Sequence, residues 1–475
     1  MSSLHPGCDS AIAQCAKASP PASHSNLVLV TTILASALAF VDGSVVNVAL
    51  PTLARNFNAD ASELQWVINA YLLPLSALLL LGGAAGDHFG RRRLLILGTS
   101  VFALGSLGSA LAPGLPALFA SRLVQGVGAA MLMPNSLAIL GQTFSGESQG
   151  RAIGIWAATG AAMSAIGPVL GGWLIDLGSW RAIFLLNLPL ACGAIILAWR
   201  IVPRDRHSET YPLDAMGGIL ATIGLAALTW ALTIGSSRRG WTPAALTAAA
   251  SAVLLLIIFL RFESARGGRA MMPLTLFASR SFVGLTIFTF LLYGAMAGLL
   301  VLLPYVLIKT AGYSATAAGA ALLPLPLILT VTSPLAGALA GRIGTRLPLA
   351  IGPLVVAAGF LMALRIDSSS SYWTEVLPMI VVIAFGMSGA VAPLTTAVLT
   401  SVDPAHTGSA SGINSAVARS GGLVATALLG SVLAAAGERL LMAFHIAMGI
   451  GALISAAASL SAFALLDRNR HARSN

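Results

Sequence analysis

Charged residues are scarce in this chain of 475 residues. Asp, Glu, Lys and Arg together make up 9% of the sequence, whereas hydrophobic residues make up 57% and the mean hydropathy is +0.88. Because so little polar surface is available, a water-soluble globule of this length is excluded. The composition therefore predicts a protein that lies in a lipid bilayer.

Sequence signals for catalysis and for cofactors are also missing. Cys8, Cys15 and Cys192 have no metal-ligand spacing, so neither a zinc site nor a disulfide framework is indicated. No Gly-x-x-x-x-Gly-Lys-Ser/Thr loop occurs, which argues against direct use of ATP. No loop carries a His/Cys/Asp cluster, and His445 stands alone in an apolar segment. We therefore expect no cofactor, no metal, no bound nucleotide and no enzymatic activity.

The basic balance of the chain does not indicate a nucleic-acid partner. The net charge is +10 and the pI is about 10.4, values that in a soluble protein would suggest nucleic acid. Here the arginines stand singly or in short groups at the ends of apolar runs, without a basic stripe. The partner that this distribution of charge predicts is the lipid bilayer.

Fourteen apolar runs are long enough to cross a bilayer, which requires about 20 residues per helix. They lie at about 27–50, 64–85, 94–112, 115–140, 152–175, 182–202, 214–234, 243–262, 282–306, 315–339, 348–366, 373–399, 410–435 and 440–466. The loops between them are short, so no soluble catalytic domain is expected. We refer to these runs as predicted helices 1 to 14.

The basic residues predict the orientation of the chain. Of the 26 Lys and Arg residues, 17 lie on the side of the two termini, 7 lie on the other side and 2 lie within helices. By the positive-inside rule, both termini are predicted to be cytoplasmic, in the inner membrane. Residues 1–25 lack the basic start of a signal peptide and are interpreted as a disordered tail.

A short basic turn occurs twice. Residues Gly83–Arg93 separate predicted helices 2 and 3, and a degraded copy, Gly337–Arg346, separates helices 10 and 11. Two six-helix halves alone would place the copies six helices apart rather than eight, so helices 7 and 8 are interpreted as an insertion. The predicted domains are a tail at 1–25, an N-terminal half at 26–202, inserted helices with linkers at 203–281, a C-terminal half at 282–466 and a cytoplasmic tail at 467–475.

Asp42 and Arg122 are the ionisable residues that the sequence places inside helices of the N-terminal half. An ionised carboxylate in low dielectric must lie in a water-filled cavity, pair with a cation or take up a proton, so Asp42 is a candidate proton carrier. It is the only carboxylate predicted well inside a span. Arg122 supplies a fixed positive charge that favours the ionised form of a nearby carboxylate. A structural contact for Asp42 and a snorkelling role for Arg122 are the alternatives.

Six stretches resemble signatures of one family, the fourteen-helix drug:proton antiporters of the major facilitator superfamily. They are Val41–Pro51, Gly83–Arg92, Arg122–Gly128, Gly167–Gly172, Trp180–Pro189 and Gly408–Gly422. The resemblance covers nearly the whole chain after the tail. It implies an all-α membrane protein with the major facilitator fold and 14 transmembrane helices, in two six-helix halves plus two inserted central helices. It also implies proton-coupled export of small lipophilic compounds by alternating access, with the arginine at position 122 taking part in proton transfer.

Two mechanical elements follow from the same signatures. The resemblance implies that Asp87 latches the two halves, and we expect Arg151 to be its partner, in a turn formed by Gly83, Asp87, Gly90, Arg91 and Arg92. Small residues at helical spacing favour close helix contact, and a proline bends the helix. On that ground Gly167, Pro168, Gly171 and Gly172 are interpreted as a helix-contact motif.

Further residues are candidates for a substrate cavity. Aromatic side chains can stack on flat or cationic drugs. Anchoring at the membrane interface and packing are the alternatives, which are favoured for most of the aromatic side chains. The candidates are Asn47, Trp66, Tyr71, Gln125, Trp156, Tyr293, Asn414 and Arg419. For Arg419, three alternatives stay open, namely an anionic substrate group, a pair with Asp42 across the cavity, and a position near the bilayer edge.

Two other functions are compatible with the same fold. One is an exporter or importer of a single solute, such as an amino acid, a sugar acid or a siderophore, and the other is a transport-inactive membrane sensor. Because predicted helices 9 to 14 contain no central carboxylate, we expect divalent cations to be handled poorly. The sequence leaves the involvement of a periplasmic adaptor open.

Overall fold

The protein is a bundle of membrane-length helices. A computed structural model describes residues 25–144, 146–203, 214–236, 240–267, 270, 272–402, 407–435 and 438–466, and those residues form helices and turns with no strand. The fourteen long helices are α1 Ser25–Phe57, α2 Ala61–Phe89, α3 Arg91–Leu111, α4 Leu115–Thr143, α5 Gly146–Asp176, α6 Ala182–Ile201, α7 Ala215–Gly235, α8 Pro243–Arg266, α9 Arg280–Lys309, α10 Ala315–Ile343, α11 Arg346–Arg365, α12 Tyr372–Thr400, α13 Thr407–Ala427 and α14 Glu438–Leu465.

The helices correspond one to one with the predicted runs, with differences at their ends. Thirteen of the helices described are long and apolar enough to cross a membrane. The helix α13 falls outside that group because it contains Asn414, Arg419 and many small residues. It also ends at Ala427, eight residues before the predicted end, and a one-turn helix, Gly430–Leu433, follows. The helix α1 extends to Phe57 instead of residue 50, which places Asp42 near its middle.

Local sequence determines where several helices begin. At α2, Asp60 accepts a hydrogen bond from the Glu63 backbone N–H at 2.8 Å, and Glu63 accepts one from the Asp60 N–H at 2.8 Å, which makes a capping box. Between α2 and α3 the chain reverses at Gly90, whose φ of 100° is a conformation that favours glycine. Two faces of the bundle are named after these residues: the Asp60 face, where α1 ends and α2 begins, and the Gly90 face, where α2 ends and α3 begins.

Within each half, helices approach closely at glycines. A Cβ at Gly82 would lie 2.1 Å from the carbonyl oxygen of Ala130, and a Cβ at Gly128 would lie 2.5 Å from the Phe102 nitrogen, so α4 packs tightly on both α2 and α3. In the C-terminal half, a Cβ at Gly352 would lie 2.8 Å from the Gly386 carbonyl oxygen, which brings α11 against α12. Small residues serve this purpose in membranes because backbones can then come into van der Waals contact.

The inserted helices lie beside the two halves. The helix α7 packs on α2 and α13, while α8 packs chiefly on α7. Residues of α8 such as Val253 and Leu254 are exposed, as expected for a helix at the lipid-facing edge. The structure thus has the architecture predicted from the spacing of the repeated turn, two six-helix halves with two added helices.

The two halves meet most closely at the Asp60 face. There Asp176 at the end of α5 accepts a hydrogen bond from the Thr316 backbone N–H of α10 at 3.0 Å, and Gln65 of α2 donates to the Thr426 carbonyl of α13 at 2.9 Å. Toward the Gly90 face, α10 has no buried residue between 327 and 339. The seam between α5 and α10 is therefore closed at the Asp60 face and open at the Gly90 face.

Candidate functional site

Asp42 and Arg122 form a fully buried ion pair. Nη1 of Arg122, on α4, donates to Oδ2 of Asp42, on α1, and the two side chains are 0% and 1% exposed. Both lie inside the N-terminal half. Of the possibilities open from the sequence, the structure shows a carboxylate paired with a cation.

Two amides complete the environment of the carboxylate. Gln125 Nε2 donates to Asp42 Oδ1 at 3.0 Å, and Asn187 Nδ2 donates to the same oxygen at 3.3 Å. Ser106 Oγ accepts from both amides, at 3.2 and 2.9 Å, and donates to the Phe184 carbonyl at 2.9 Å. Each of the three side chains that hydrogen-bond to the Asp42 carboxylate, Arg122, Gln125 and Asn187, acts as a donor.

The guanidinium of Arg122 has further contacts that do not depend on Asp42. Its Nε donates to the Val67 carbonyl of α2 at 3.2 Å, and its Nη1 reaches Gln125 Oε1 at 3.1 Å. Its Cζ lies 4.4 Å from the centre of the Tyr71 ring, a cation–π distance. The buried pair thus connects α1, α2, α4 and, through Asn187 and Ser106, α6 and α3.

A second buried carboxylate lies in α8. Glu263 is 0% exposed and accepts a hydrogen bond from the Met272 N–H at 2.6 Å. Asp214, which caps α7, pairs with Arg266 at 3.1 Å nearby. Glu263 lies within α8 because this helix continues to Arg266, beyond the predicted end at residue 262. These groups lie at the Gly90 face, near the ends of their helices, whereas Asp42 lies near the middle of α1.

The basic turn is held by ion pairing within itself. Asp87 Oδ1 lies 2.7 Å from Arg91 Nη2, and Arg91 Nη1 donates to the Ala138 carbonyl of α4 at 3.0 Å. Arg92 donates to the Trp199 carbonyl of α6. The expected partner Arg151 is exposed and makes no ion pair with Asp87, so in this structure the Asp87 carboxylate at the end of α2 is bound by Arg91 at the start of α3.

The glycines around Pro168 join α5 to two helices. A Cβ at Gly167 would lie 2.2 Å from Ser44 Oγ, and one at Gly171 would lie 2.2 Å from Cγ2 of Val45, both on α1. A Cβ at Gly172 would lie 2.3 Å from the Ala315 carbonyl oxygen of α10, and Pro168 packs against Gly319 of the same helix. This motif therefore connects α1 to the seam between the halves.

The structure does not bring the cavity candidates into a single cluster. Gln125 and Tyr71 belong to the Asp42 network, whereas Trp156 donates to Ser36 Oγ at 2.9 Å and packs edge-on against Phe40. Asn414 accepts from Thr289 at 2.6 Å, between α13 and α9. The other three, Asn47, Trp66 and Tyr293, have no side-chain hydrogen bond within the described part of the chain.

Arg419 extends from α13 toward the N-terminal half. Its Nη2 lies 3.0 Å from the Met133 sulfur of α4, and it makes no ion pair with Asp42 or with another carboxylate in the described ranges. A thioether is only a weak acceptor. Of the three alternatives left open by the sequence, pairing with Asp42 is absent in this structure, and a cation is left without an anion between the halves.

Sequence reasoning overlooked two members of the network. Asn187 stands in the quoted stretch Trp180–Pro189 without an assigned role, and Ser106 was not considered. The signal that could have found Asn187 is a buried amide in an otherwise apolar segment, because such a group requires a partner. A single serine gives no comparable signal, since a helical serine can satisfy itself on its own backbone.

The sequence and the fold both resemble those of known membrane transport proteins. Residues 32–426 and 285–475 match the sequence model of the Major Facilitator Superfamily. The chain is 34% identical over 416 residues to Multidrug resistance protein Stp of Mycobacterium tuberculosis (86% of this chain, 76% of that protein) and 33% identical over 411 residues to the Methylenomycin A resistance protein of Bacillus subtilis (86% and 87%).

Solved structures show the same fold at lower sequence identity. A POT family transporter in complex with a thioalcohol-conjugated peptide superposes with a TM-score of 0.69 at 13% identity, covering 91% of this chain and 94% of that one. An inward-facing bacterial homolog of the human lysosomal transporter Spinster gives 0.63 at 17% identity, covering 94% and 97%.

Proposed function

Because the chain belongs to the major facilitator superfamily, we propose that it is a secondary transporter, not an enzyme, that exports small lipophilic compounds in exchange for protons. Its relatives Stp and the Methylenomycin A resistance protein carry names that denote drug resistance, which supports efflux as the function. The single observation that carries the proton coupling is the buried Asp42–Arg122 pair. A titratable group inside the membrane is the physical requirement for proton exchange.

The step that we propose to couple proton movement to transport is the protonation of Asp42. In this structure the carboxylate is paired with Arg122 while the seam between α5 and α10 is open at the Gly90 face. A proton on Asp42 would cancel its charge, leaving Arg122 with the Val67 carbonyl and Gln125 Oε1 as acceptors. The helices α1 and α4 would then be held together less strongly, and the opposite access state would become more favourable. Exchange requires that the two states differ in affinity both for the proton and for the substrate.

The proposed orientation places the Gly90 face in the cytoplasm, with both termini on that side of the inner membrane. The excess of arginines on that face supports it. In this orientation Asp42 gives up its proton to the cytoplasm in the present state. The turn around Asp87 and Arg91 holds α2, α3 and α4 together there, and we propose that it works as the latch between access states.

Transport in everted vesicles tests the proposal. With an imposed pH gradient, acid inside, vesicles containing the wild-type protein are expected to accumulate ethidium, and Asp42→Asn vesicles are not. The control is Glu63→Gln, because Glu63 is an exposed carboxylate at the capping box of α2. Accumulation in wild-type vesicles that ignores the gradient would refute proton exchange. Transport of one physiological solute with indifference to dyes would refute the efflux function.

A further inference from the structure

An apolar cavity lies between α9, α13 and α14 in the C-terminal half. Its volume is about 620 Å³, and Phe360 of α11 closes one side. The lining contains no charged residue and no amide, and its only hydroxyl is that of Ser431. Pockets for drug-sized ligands usually measure about 300–1,000 Å³. The cavity is therefore large enough for a whole small molecule, and its chemistry favours an uncharged one.

The cavity opens toward the hydrocarbon of the bilayer. The helices α13 and α14 each pack on α9 and have little direct contact with each other. The rim of the gap is formed by Ile446, Ile450 and Leu428, which are 59%, 50% and 48% exposed. The lining residues lie around the middle of α9 and α14 and in the part of α13 nearer the Asp60 face. A lipophilic molecule could thus enter from the bilayer without crossing water.

One wall of the cavity also forms the contact between the two halves. Gly421, Val424 and Ala425 line the cavity on one side of α13. The other side contacts the N-terminal half: Arg419 reaches Met133, and the Thr426 hydroxyl donates to Asn69 of α2. A molecule in the cavity therefore contacts a helix that also forms part of the contact between the two halves.

We propose that this cavity binds an uncharged lipophilic substrate of the pump, taken directly from the bilayer. The proposal rests on the proposed function and adds a membrane-side entry site to it. The missing charge in the lining selects an uncharged occupant, and the shared wall of α13 gives that occupant a different affinity for the two access states, which a transported molecule requires. A structural lipid would not need such a link to the interface.

The test is a substitution that fills the cavity. Gly298 of α9 lines the cavity, and a Cβ at this position would meet no atom within 4 Å. Leucine is compatible with a helix, so Gly298→Leu should place its side chain in the cavity without disturbing α9. The matched control is Gly449→Leu on α14, where a Cβ also meets nothing within 4 Å but which does not line the cavity. Both variants are assayed for gradient-driven transport of uncharged N-phenyl-1-naphthylamine and of the cation ethidium.

We expect Gly298→Leu to reduce transport of the uncharged probe by about tenfold, the effect of a modest loss of binding free energy, while ethidium transport stays as in wild type. Gly449→Leu should transport both probes normally. If wild type transports neither probe, the proposed function fails. If wild type transports both and Gly298→Leu leaves the uncharged probe unaffected, or slows both probes equally, the cavity proposal alone is overturned.

Direct labelling distinguishes a substrate from a lipid. A phospholipid with a photoreactive acyl chain should label α13 or α14 of the wild-type protein less when N-phenyl-1-naphthylamine is added, because both compete for one space. Labelling that the probe does not reduce would identify a lipid site and overturn the proposal. Labelling should also be weaker in Gly298→Leu than in Gly449→Leu.

Discussion

The substitution Asp42→Asn should destabilise the protein strongly, because it leaves a buried cation without an anion. Arg122 is 1% exposed and would retain only the neutral Val67 and Gln125 acceptors. Removing one member of a buried ion pair costs about 3–5 kcal/mol. We expect a loss of that size in the free energy of unfolding, together with the loss of gradient-driven transport.

The double variant Asp42→Asn/Arg122→Gln separates the two effects. With both charges removed, no uncompensated charge stays buried, so its unfolding free energy should lie closer to wild type than the sum of the single changes. A coupling energy of about 2–3 kcal/mol is expected, at the upper end of values for residues in contact. Transport should not return, because the double variant has no titratable group at position 42.

The assay is a double-mutant cycle of denaturant unfolding in mixed micelles, with vesicle transport measured on the same four proteins. An Asp42→Asn variant within about 0.5 kcal/mol of wild type, or four proteins whose stabilities simply add, would refute the buried pair. Transport restored in the double variant would show that the pair is structural and that protons are carried elsewhere.

Three further predictions concern other elements. Gly167→Leu should separate α5 from α1 and lower both the yield of folded protein and efflux, because its Cβ would lie 2.2 Å from Ser44 Oγ; Gly154→Leu, which meets no atom within 4 Å, should leave yield and efflux unchanged. Asp87→Asn removes a carboxylate that is 57% exposed, so thermal melting should show a loss of stability below about 1 kcal/mol. The efflux rate should nevertheless fall, and an efflux rate equal to that of the wild type would exclude the latch. A bis-quaternary dye should be exported more slowly than its mono-quaternary analogue, since Arg419 has no carboxylate partner, and equal rates would contradict this.

Much of the fold followed from the sequence because bilayer thickness restricts helix length. Each apolar run became a helix, and the spacing of the basic turn predicted the two added helices. Helix ends were less accurate where polar residues continue a helix. For that reason the prediction placed Glu263 in a loop, whereas it lies in α8. The prediction also continued α13 through Leu428, although the helix ends at Ala427.

The site was predictable as a set of residues but not as a set of contacts. Asp42 and Arg122 stand out because charges within apolar segments are costly, and the structure pairs them. That Asn187 and Ser106 belong with them depends on how α3 and α6 pack on α1, which helical periodicity does not specify. The assignment of Arg151 to Asp87 had the same weakness, since the reversal of the chain at Gly90 brings Arg91 to the Asp87 carboxylate.

The central claim, that Asp42 exchanges its proton for a bound substrate, is tested most directly by proton release from the purified protein. Tetraphenylphosphonium, a monovalent lipophilic cation, is added to the wild-type and Asp42→Asn proteins in weakly buffered detergent solution while pH is recorded. The wild-type protein should release protons when it binds the cation, and Asp42→Asn should bind it without releasing protons. Equal release from both proteins, or binding to the wild type with no release, would contradict it.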